Sequence, residues 1–241
     1  MPHQMGGWLP RNPAVLQSWV VKRVQSIRHK SSDDLSPAVA EFRKMVVGDP
    51  KLYMLFNEML VEVPAKYKFD PSHKHEIRDV DTLFLVLDEV TQQPPFWNPS
   101  AQIGVPINAV LAWPMGTKAG FAALLNEKVN KHFKTILTLW AKFLLTPESC
   151  STLNSSENGW FSETALNSAH MRDFEYNYVC DSTRPHWGFT SWDNFFTREF
   201  RDGRRSVEYP HDDSIVVSAA EATPFAVQTN VKLHDSFWIK S

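Results

Sequence analysis

Arginines clustered around the end of a predicted helix are the side chains best suited to bind a charged ligand. Arg198, Arg201, Arg204 and Arg205 lie close together in the sequence. A guanidinium group can form paired hydrogen bonds with a carboxylate or a phosphate. Arg198, Arg201 and Arg205 are therefore candidate ligands for a substrate carboxylate or phosphate. Cations are also favoured at the C-terminal end of a helix, so solvated arginines at a helix end are the alternative interpretation.

One acidic residue is a candidate for proton chemistry. Glu221 lies in the segment Ser-Ala-Ala-Glu-Ala-Thr between two predicted strands. An acid held at the edge of a sheet can have a perturbed pKa and act in catalysis. An ordinary surface carboxylate is the alternative for a single acidic residue, so Glu221 is only a candidate catalytic acid.

Three histidines are weaker candidates. His73 and His75 could ligate a metal, but no third ligand is near them in the sequence, so we favour a solvated loop and expect no metal site. His132 lies between Val129 and Ile136 on the apolar stripe of a predicted helix. It could be a buried base, although a core histidine with satisfied hydrogen bonds is the favoured interpretation.

The composition argues against several classes of protein. The formal net charge of −2 disfavours a nucleic-acid partner, because such proteins usually carry a basic surface. Cys150 and Cys180 are the only cysteines and form no CxxC pair, which disfavours a disulfide framework or a zinc site. No apolar run approaches the roughly 18 residues of a transmembrane helix, and cytoplasmic localisation is expected. The usual motifs of serine hydrolases, zinc proteases and nucleotide-binding folds do not occur.

A repeated pattern of polar cap, proline and regularly spaced apolar residues predicts helices through most of the chain. Asn12–Pro13, Ser36–Pro37 and Asp49–Pro50 each mark a predicted helix start. A long helix is predicted over about 117–145, a short buried helix over 103–111, and a loop that acts as a joint over 92–99. The last predicted helices are a short one over about 162–171 and one that starts at 190, with a capping box closed at 193.

The apolar period changes from 3.6 to 2 near the C-terminus. Residues 214–218, 225–228 and 237–240 are predicted strands. Three short strands cannot form a well-buried sheet alone, so they either pack on the helices or belong to a sheet that continues in further polypeptide. We favour the second interpretation. The predicted fold is mainly α: a helical domain over 1–187, followed over 188–241 by a linker helix and the first strands of an incomplete β-rich catalytic domain.

Several motifs together resemble one enzyme family. The segment from 188 to 201, Gly-Phe-Thr-Ser-Trp-Asp-Asn-Phe-Phe-Thr-Arg-Glu-Phe-Arg, resembles the aromatic-rich helix that precedes the catalytic sheet of phosphatidylserine decarboxylases. Four further blocks resemble the helical extension of a fungal branch of that family, which includes L-tryptophan decarboxylases. They are Gly7–Leu9, Lys118–Phe121, Asn130–Lys134 with Trp140, and Gly159–Trp160.

The resemblance implies a pyruvoyl cofactor, which the family makes by self-cleavage before the serine of a Gly-Ser motif. Its ketone forms a Schiff base with the substrate amine and accepts the electrons released as CO2 leaves. This sequence has no Gly-Ser dipeptide and no histidine pair that matches the family, so a C-terminal catalytic half or chain is the expected partner. Glu221 aligns with the aspartate of the family's acidic element and is one methylene longer. Arg205–Ser206 replaces the usual Arg-Pro.

These observations leave three hypotheses. The favoured one is the N-terminal part of a pyruvoyl-dependent decarboxylase that acts on an aromatic amino acid such as tryptophan. The second is a decarboxylase of phosphatidylserine, in which the arginine cluster would face an anionic membrane. The third is a non-catalytic helical interaction module from a truncated gene.

Overall fold

Helices, α and 3₁₀ together, make up more than half of the described residues of the structure, a computed structural model that describes residues 13–64, 76–98, 105–168, 171–218, 229–230 and 232–234. The α-helices of these residues are α1 (Pro13–Ser26), α2 (Pro37–Gly48), α3 (Pro50–Val61), α4 (Val80–Thr91), α5 (Pro106–Leu111), α6 (Lys118–Leu124), α7 (Glu127–Leu144), α8 (Glu163–Leu166), α9 (Phe174–Asn177) and α10 (Trp192–Phe196). Short 3₁₀ helices cover Ser32–Asp34, Pro114–Gly116 and Pro147–Thr152, and Pro185–Gly188 forms tight turns with left-handed backbone at His186 and Trp187. The predicted helix starts at Pro13, Pro37 and Pro50 are confirmed.

The prediction of one long helix over 117–145 is wrong in one respect, because two helices cover this range. The hydroxyl of Thr117 caps α6 by accepting from the N–H of Gly120. The side chain of Asn126 caps α7 by accepting from the N–H groups of Lys128 and Val129. An asparagine cap satisfies backbone donors that a continuous helix would bond internally, so it favours a new start there. The apolar stripe continues across this break, which is why periodicity alone missed it.

Seven helices, α1 to α7, enclose the first core. Phe42, Phe56 and Phe84 lie at its centre and are at most 1% exposed. The rings of Phe42 and Phe84 meet edge to face with centroids 5.0 Å apart, a favourable aromatic geometry. The other buried residues of this core are aliphatic, and half of them come from α2, α3 and α4. The first core is therefore a helix bundle of the kind that the sequence pattern predicts.

The second core is built between the end of α7 and α10, from short helices and loops. Its most buried large side chain is Phe195, which is 1% exposed. Phe161, Phe174, Phe189 and Trp192 pack around this ring with centroids 5.4–6.4 Å away. The helix predicted over 162–171 is shorter, Glu163–Leu166, and the final one is capped by Ser191 rather than by the residue before it.

The loop predicted at 92–99 connects the regions that carry the two cores. The indole N–H of Trp140, on α7, donates to the carbonyl of Gln93 at 3.0 Å. The indole N–H of Trp160 donates to the carbonyl of Pro95 at 2.8 Å. The ring of Trp140 also packs against both cores. Two indoles therefore hold this proline-rich loop in place.

The strand predicted over 214–218 is not formed. The chain makes a turn there, with the N–H of Ile215 donating to the carbonyl of Asp212, and residues 215–218 have no regular secondary structure. A strand needs a neighbour that takes its backbone hydrogen bonds, and apolar alternation alone cannot supply one. The predicted strands over 225–228 and 237–240 lie outside the described residues. The chain divides into two compact units, Met1–Arg201 and Asp202–Ser241. The predicted boundary between a helical and a catalytic domain at 187/188 stays a prediction.

Candidate functional site

Arg198 is packed among aromatic rings. Its guanidinium carbon lies 4.4 Å from the ring centre of Tyr178 and 5.2 Å from those of Phe174 and Phe195. Its Nη1 donates to the carbonyl of Phe195 at 3.1 Å. Stacking of a cation on several rings stabilises the fold and removes much of the guanidinium from solvent. The position therefore suits a structural role better than the predicted role in ligand binding.

Arg201 is exposed and bonds to the main chain of a neighbouring segment. Its Nε donates to the carbonyl of Glu175 at 2.9 Å, and its Nη2 donates to the carbonyl of Cys180 at 2.8 Å. Arg198 and Arg201 thus both contact residues 174–180, one through rings and the other through carbonyls. Together they fix the segment after α10 against the segment that begins with α9.

A pair of residues in antiparallel register lies between these arginines. Tyr178 faces Phe200, with the N–H of Val179 donating to the carbonyl of Glu199 and the N–H of Arg201 donating to the carbonyl of Asn177. In this register Tyr178 and Phe200 form the non-hydrogen-bonded pair, whose side chains approach most closely. Their rings accordingly stack with centroids 4.8 Å apart. Sequence reasoning missed this bridge, because a single pair leaves no run of alternating residues.

The remaining predicted site residues lie in the second compact unit or outside the described residues. Arg204 and Arg205 belong to the second compact unit, where Arg205 is exposed and has a left-handed backbone with φ of 51°. Glu221, His73 and His75 lie outside the described residues. Ligand binding by Arg205 and acid catalysis by Glu221 therefore stay predictions.

His132 lies at the edge of the first core. Val129 and Ile136 are buried as predicted, whereas His132 is half-buried and stacks on Phe42 with ring centroids 5.2 Å apart and planes at 3°. It borders an open cleft of about 730 Å³ that is also lined by Glu41, Lys44, Asp49 and Lys128, among others. The ring packs as an edge residue of the core, so His132 is not a buried base, and it is only half-buried where the sequence favoured a core histidine with satisfied hydrogen bonds.

The two thiols are poor nucleophiles. Burial raises the pKa of the Cys150 thiol, and it also raises the pKa of the Cys180 thiol. A thiol with a raised pKa stays protonated near neutral pH and reacts slowly. Both cysteines are free, as expected from their spacing. The contacts around 174–201 therefore hold the fold together, and neither thiol of the described residues is activated.

Comparison with known proteins identifies the family to which this scaffold belongs. Residues 36–169, more than half of the chain, match the phosphatidylserine decarboxylase family. The chain belongs to the phosphatidylserine decarboxylase family. The match runs from the start of α2 to just past α8, so it includes most of the first core and part of the second. The resemblance seen in the sequence is thereby confirmed.

Similar proteins of this family are fungal decarboxylases. The chain is 28% identical to the L-tryptophan decarboxylase of Psilocybe cyanescens over 249 aligned residues, which cover 97% of the chain and 54% of that protein. It is 24% identical to the L-tryptophan decarboxylase of Psilocybe cubensis over the same shares. It is 38% identical to the decarboxylase iboD of Amanita muscaria over 57% of the chain and 40% of that protein. The chain thus spans about half the length of these curated relatives, or less.

The residues of this phosphatidylserine decarboxylase family member do not fit the formation of a pyruvoyl group. That group is made from the serine of a Gly-Ser pair, and none of the nine glycines precedes a serine. No helix among the described residues has the length and apolar character needed to cross a membrane.

Proposed function

We propose that this chain is the N-terminal, helical part of a pyruvoyl-dependent decarboxylase that acts on a free aromatic amino acid such as tryptophan. The alignment with two L-tryptophan decarboxylases carries the proposal, because it extends over 97% of the chain and about half of each enzyme. The cofactor is provided by a catalytic half that lies outside this sequence, since the chain has no Gly-Ser pair.

The role of the chain itself in the proposed enzyme is to support the catalytic half. The second core includes residues of the segment 174–201, and Arg198 and Arg201 fix the two ends of this segment to each other. Rigid support of this kind fits a site whose reactive groups must be positioned to within a fraction of an ångström. The arginines contribute to the reaction only through this support.

The same contacts favour a free amino acid over a phospholipid as the substrate. A site for an anionic headgroup needs cations with unused donors, and membrane attraction needs them on an exposed surface. Arg198 stacks on three rings, and Arg201 donates to two carbonyls. Both guanidinium groups therefore contact the protein itself, and the Nε of Arg198, which has no acceptor among the described residues, is buried.

The test is release of CO2 from carboxyl-labelled tryptophan and from carboxyl-labelled phosphatidylserine in vesicles. It compares the chain alone with the chain fused to the C-terminal half of the Psilocybe cyanescens L-tryptophan decarboxylase. The fusion is expected to release CO2 from tryptophan, and the chain alone is expected to release none. The control is the same fusion with the serine of the partner's Gly-Ser replaced by alanine.

Each alternative hypothesis predicts a different result. Release from the vesicles and not from tryptophan would identify a lipid decarboxylase. An inactive fusion that still folds would support a non-catalytic interaction module. Activity of the isolated chain would contradict the proposal, because the cofactor would then have to arise from residues present here.

A further inference from the structure

Exposed apolar side chains surround the Tyr178–Phe200 bridge. Phe196 is 64% exposed, Phe200 is 41% exposed, and Val179 is 54% exposed on the opposite side of the bridge. Four residues of chain span at most about 14 Å, so Phe196 and Phe200 fall within the footprint of one ordinary protein interface. We refer to Val179, Phe196 and Phe200 as the aromatic edge.

The backbone at this edge is also unpaired. In a non-hydrogen-bonded antiparallel pair, the N–H and C=O groups of both residues point away from each other, towards the next strands. The N–H of Tyr178 is satisfied by the carbonyl of Phe174. The N–H and C=O of Phe200 form no hydrogen bond with any described residue. Phe200 therefore presents the donor and acceptor of an open sheet edge.

A buried donor next to the aromatic edge also has no hydrogen-bond partner among the described residues. Phe196 stacks on Trp192 with ring centroids 5.2 Å apart and planes at 16°. The indole N–H of Trp192 is buried and finds no acceptor among the described residues. Trp192 as a whole is only 8% exposed. Buried N–H groups almost always have a partner, so a missing acceptor beside an exposed aromatic ring indicates an incomplete structure at this side of the second core.

The sequence relatives indicate what completes it. The two L-tryptophan decarboxylases are nearly twice as long as the segments that align with this chain. We infer that the aromatic edge is the docking surface for the catalytic half, one strand of which pairs with the backbone of Phe200 and covers Phe196 with apolar side chains. This inference rests on the proposed function, which requires such a half. The bridge Tyr178–Phe200 is then the outermost part of the catalytic sheet.

The position explains two features of the bridge. A single residue pair is too short to be stable as an isolated sheet, whereas it is ordinary as the end of a larger one. An exposed edge with aromatic side chains is a liability for aggregation unless another strand covers it. Arg198 and Arg201 hold this edge in an extended register in advance, which lowers the entropic cost of adding a strand.

Amide hydrogen exchange tests the inference at the level of a single N–H. It compares the chain alone with the fusion to the C-terminal half of the Psilocybe cyanescens L-tryptophan decarboxylase. The Phe200 amide is expected to exchange at least about tenfold more slowly in the fusion, because it gains a strand partner. An equal exchange rate in the two proteins, or a Phe200 amide already protected in the chain alone, overturns the inference.

A matched pair of variants shows whether the protection depends on this surface. Phe196→Ser removes a ring of the aromatic edge, and Phe121→Ser removes a ring of nearly identical exposure, 65%, from α6 in the first region. In the fusion, Phe196→Ser is expected to raise the exchange rate of the Phe200 amide at least about tenfold. Phe121→Ser is expected to change that rate less than about twofold. Equal effects of the two variants contradict a specific docking surface. Melting temperatures of the isolated variants check that both still fold.

The two proposals fail separately in these experiments. A fusion that protects Phe200 but decarboxylates neither substrate keeps the docking surface and rejects the proposed function. A fusion that decarboxylates tryptophan while Phe200 stays unprotected keeps the function and rejects the docking surface.

Discussion

The first core and the second core are both apolar interiors, but long helices enclose the first, and short helices and loops enclose the second. The first is enclosed by helices of up to 18 residues, whose backbone groups bond mostly within each helix. Its interior is mainly apolar, with Asp88, Glu89 and Thr117 as its buried polar residues. The second is enclosed by helices of four or five residues and by loops. It uses buried hydroxyls, among them Ser149, Ser162 and Ser191, to satisfy backbone donors, and large aromatic rings to fill the space. The less regular the backbone, the more its stability depends on individual side chains.

The largest expected effect comes from truncating the central ring of each core. Phe195→Ala and Phe42→Ala are each expected to lower the free energy of unfolding by about 3–5 kcal/mol, since each leaves a cavity among packed rings. Phe195→Ala is expected to speed amide exchange mainly in 147–200, because the first core is closed by its own helices. Chemical denaturation and exchange measured on both variants check this. Equal loss of protection everywhere would show that the two cores unfold as one unit.

The next largest loss of stability is expected from replacing glycines that pack closely against the backbone of another segment. A Cβ on Gly120, in the first region, would lie 1.9 Å from the carbonyl oxygen of Pro114, and a Cβ on Gly159, in the second, would lie 2.1 Å from that of Asn154. Both Gly120→Ala and Gly159→Ala are therefore expected to cost about 1–3 kcal/mol or more. Gly48→Ala is the control, since nothing lies within 4 Å of that Cβ and the residue is helical. Thermal melting is expected to show no loss of stability for this control.

A smaller effect is expected from one buried hydroxyl of the second core. Ser149 is fully buried, donates towards the carbonyls of Leu144 and Thr146, and accepts from the N–H of Trp192 at 2.8 Å. Ser149→Ala leaves that N–H buried without an acceptor and is expected to cost about 1–3 kcal/mol. Ser151→Ala, at an exposed position two residues away, is expected to change stability by less than about 0.5 kcal/mol. Similar values for the two variants would remove the distinction drawn between the cores.

The smallest effects concern two exposed carboxylates, Asp34 and Asp181, whose pKa values are lowered by different kinds of hydrogen bond. The backbone N–H of Ser31 is the main cause that lowers the pKa of Asp34, whereas the Thr183 hydroxyl is the main cause that lowers the pKa of Asp181. Ser31→Ala is therefore expected to leave most of the Asp34 shift in place, and Thr183→Val to reverse more of the Asp181 shift. Carboxyl NMR titrations measure both. Because each folded-state pKa is lowered, the stabilisation is present above the unfolded pKa and is lost as the pH falls through the folded value.

Local signals in the sequence predicted the first core well and the second poorly. Pro37 and Pro50 each follow a polar residue, and Asp49 caps α3 by accepting from N–H groups two and three residues later. The split between α6 and α7 was missed because the Asn126 cap lies inside an uninterrupted apolar stripe. In the second core, the partners that decide the structure are distant in sequence, as Ser149 is from Trp192.

The candidate site shows the same limit. The sequence identified Arg198 and Arg201 as candidate ligand-binding cations, and that role stays a prediction. The structure shows that both have partners within the protein. The sequence could not show that those partners are the ring of Tyr178 and the carbonyls of Glu175 and Cys180, because these residues lie about 20 positions earlier. The family resemblance, by contrast, was accessible, since it depends on the order of motifs rather than on contacts.

The loop at 92–98 has a practical consequence for studying this molecule. The indoles of Trp140 and Trp160 bond to its carbonyls from two different parts of the chain. Fluorine-labelled tryptophan at these positions gives resonances that shift when the indole N–H loses its acceptor. The fluorine resonances of Trp140 and Trp160 therefore report whether the two indole hydrogen bonds to this loop are intact.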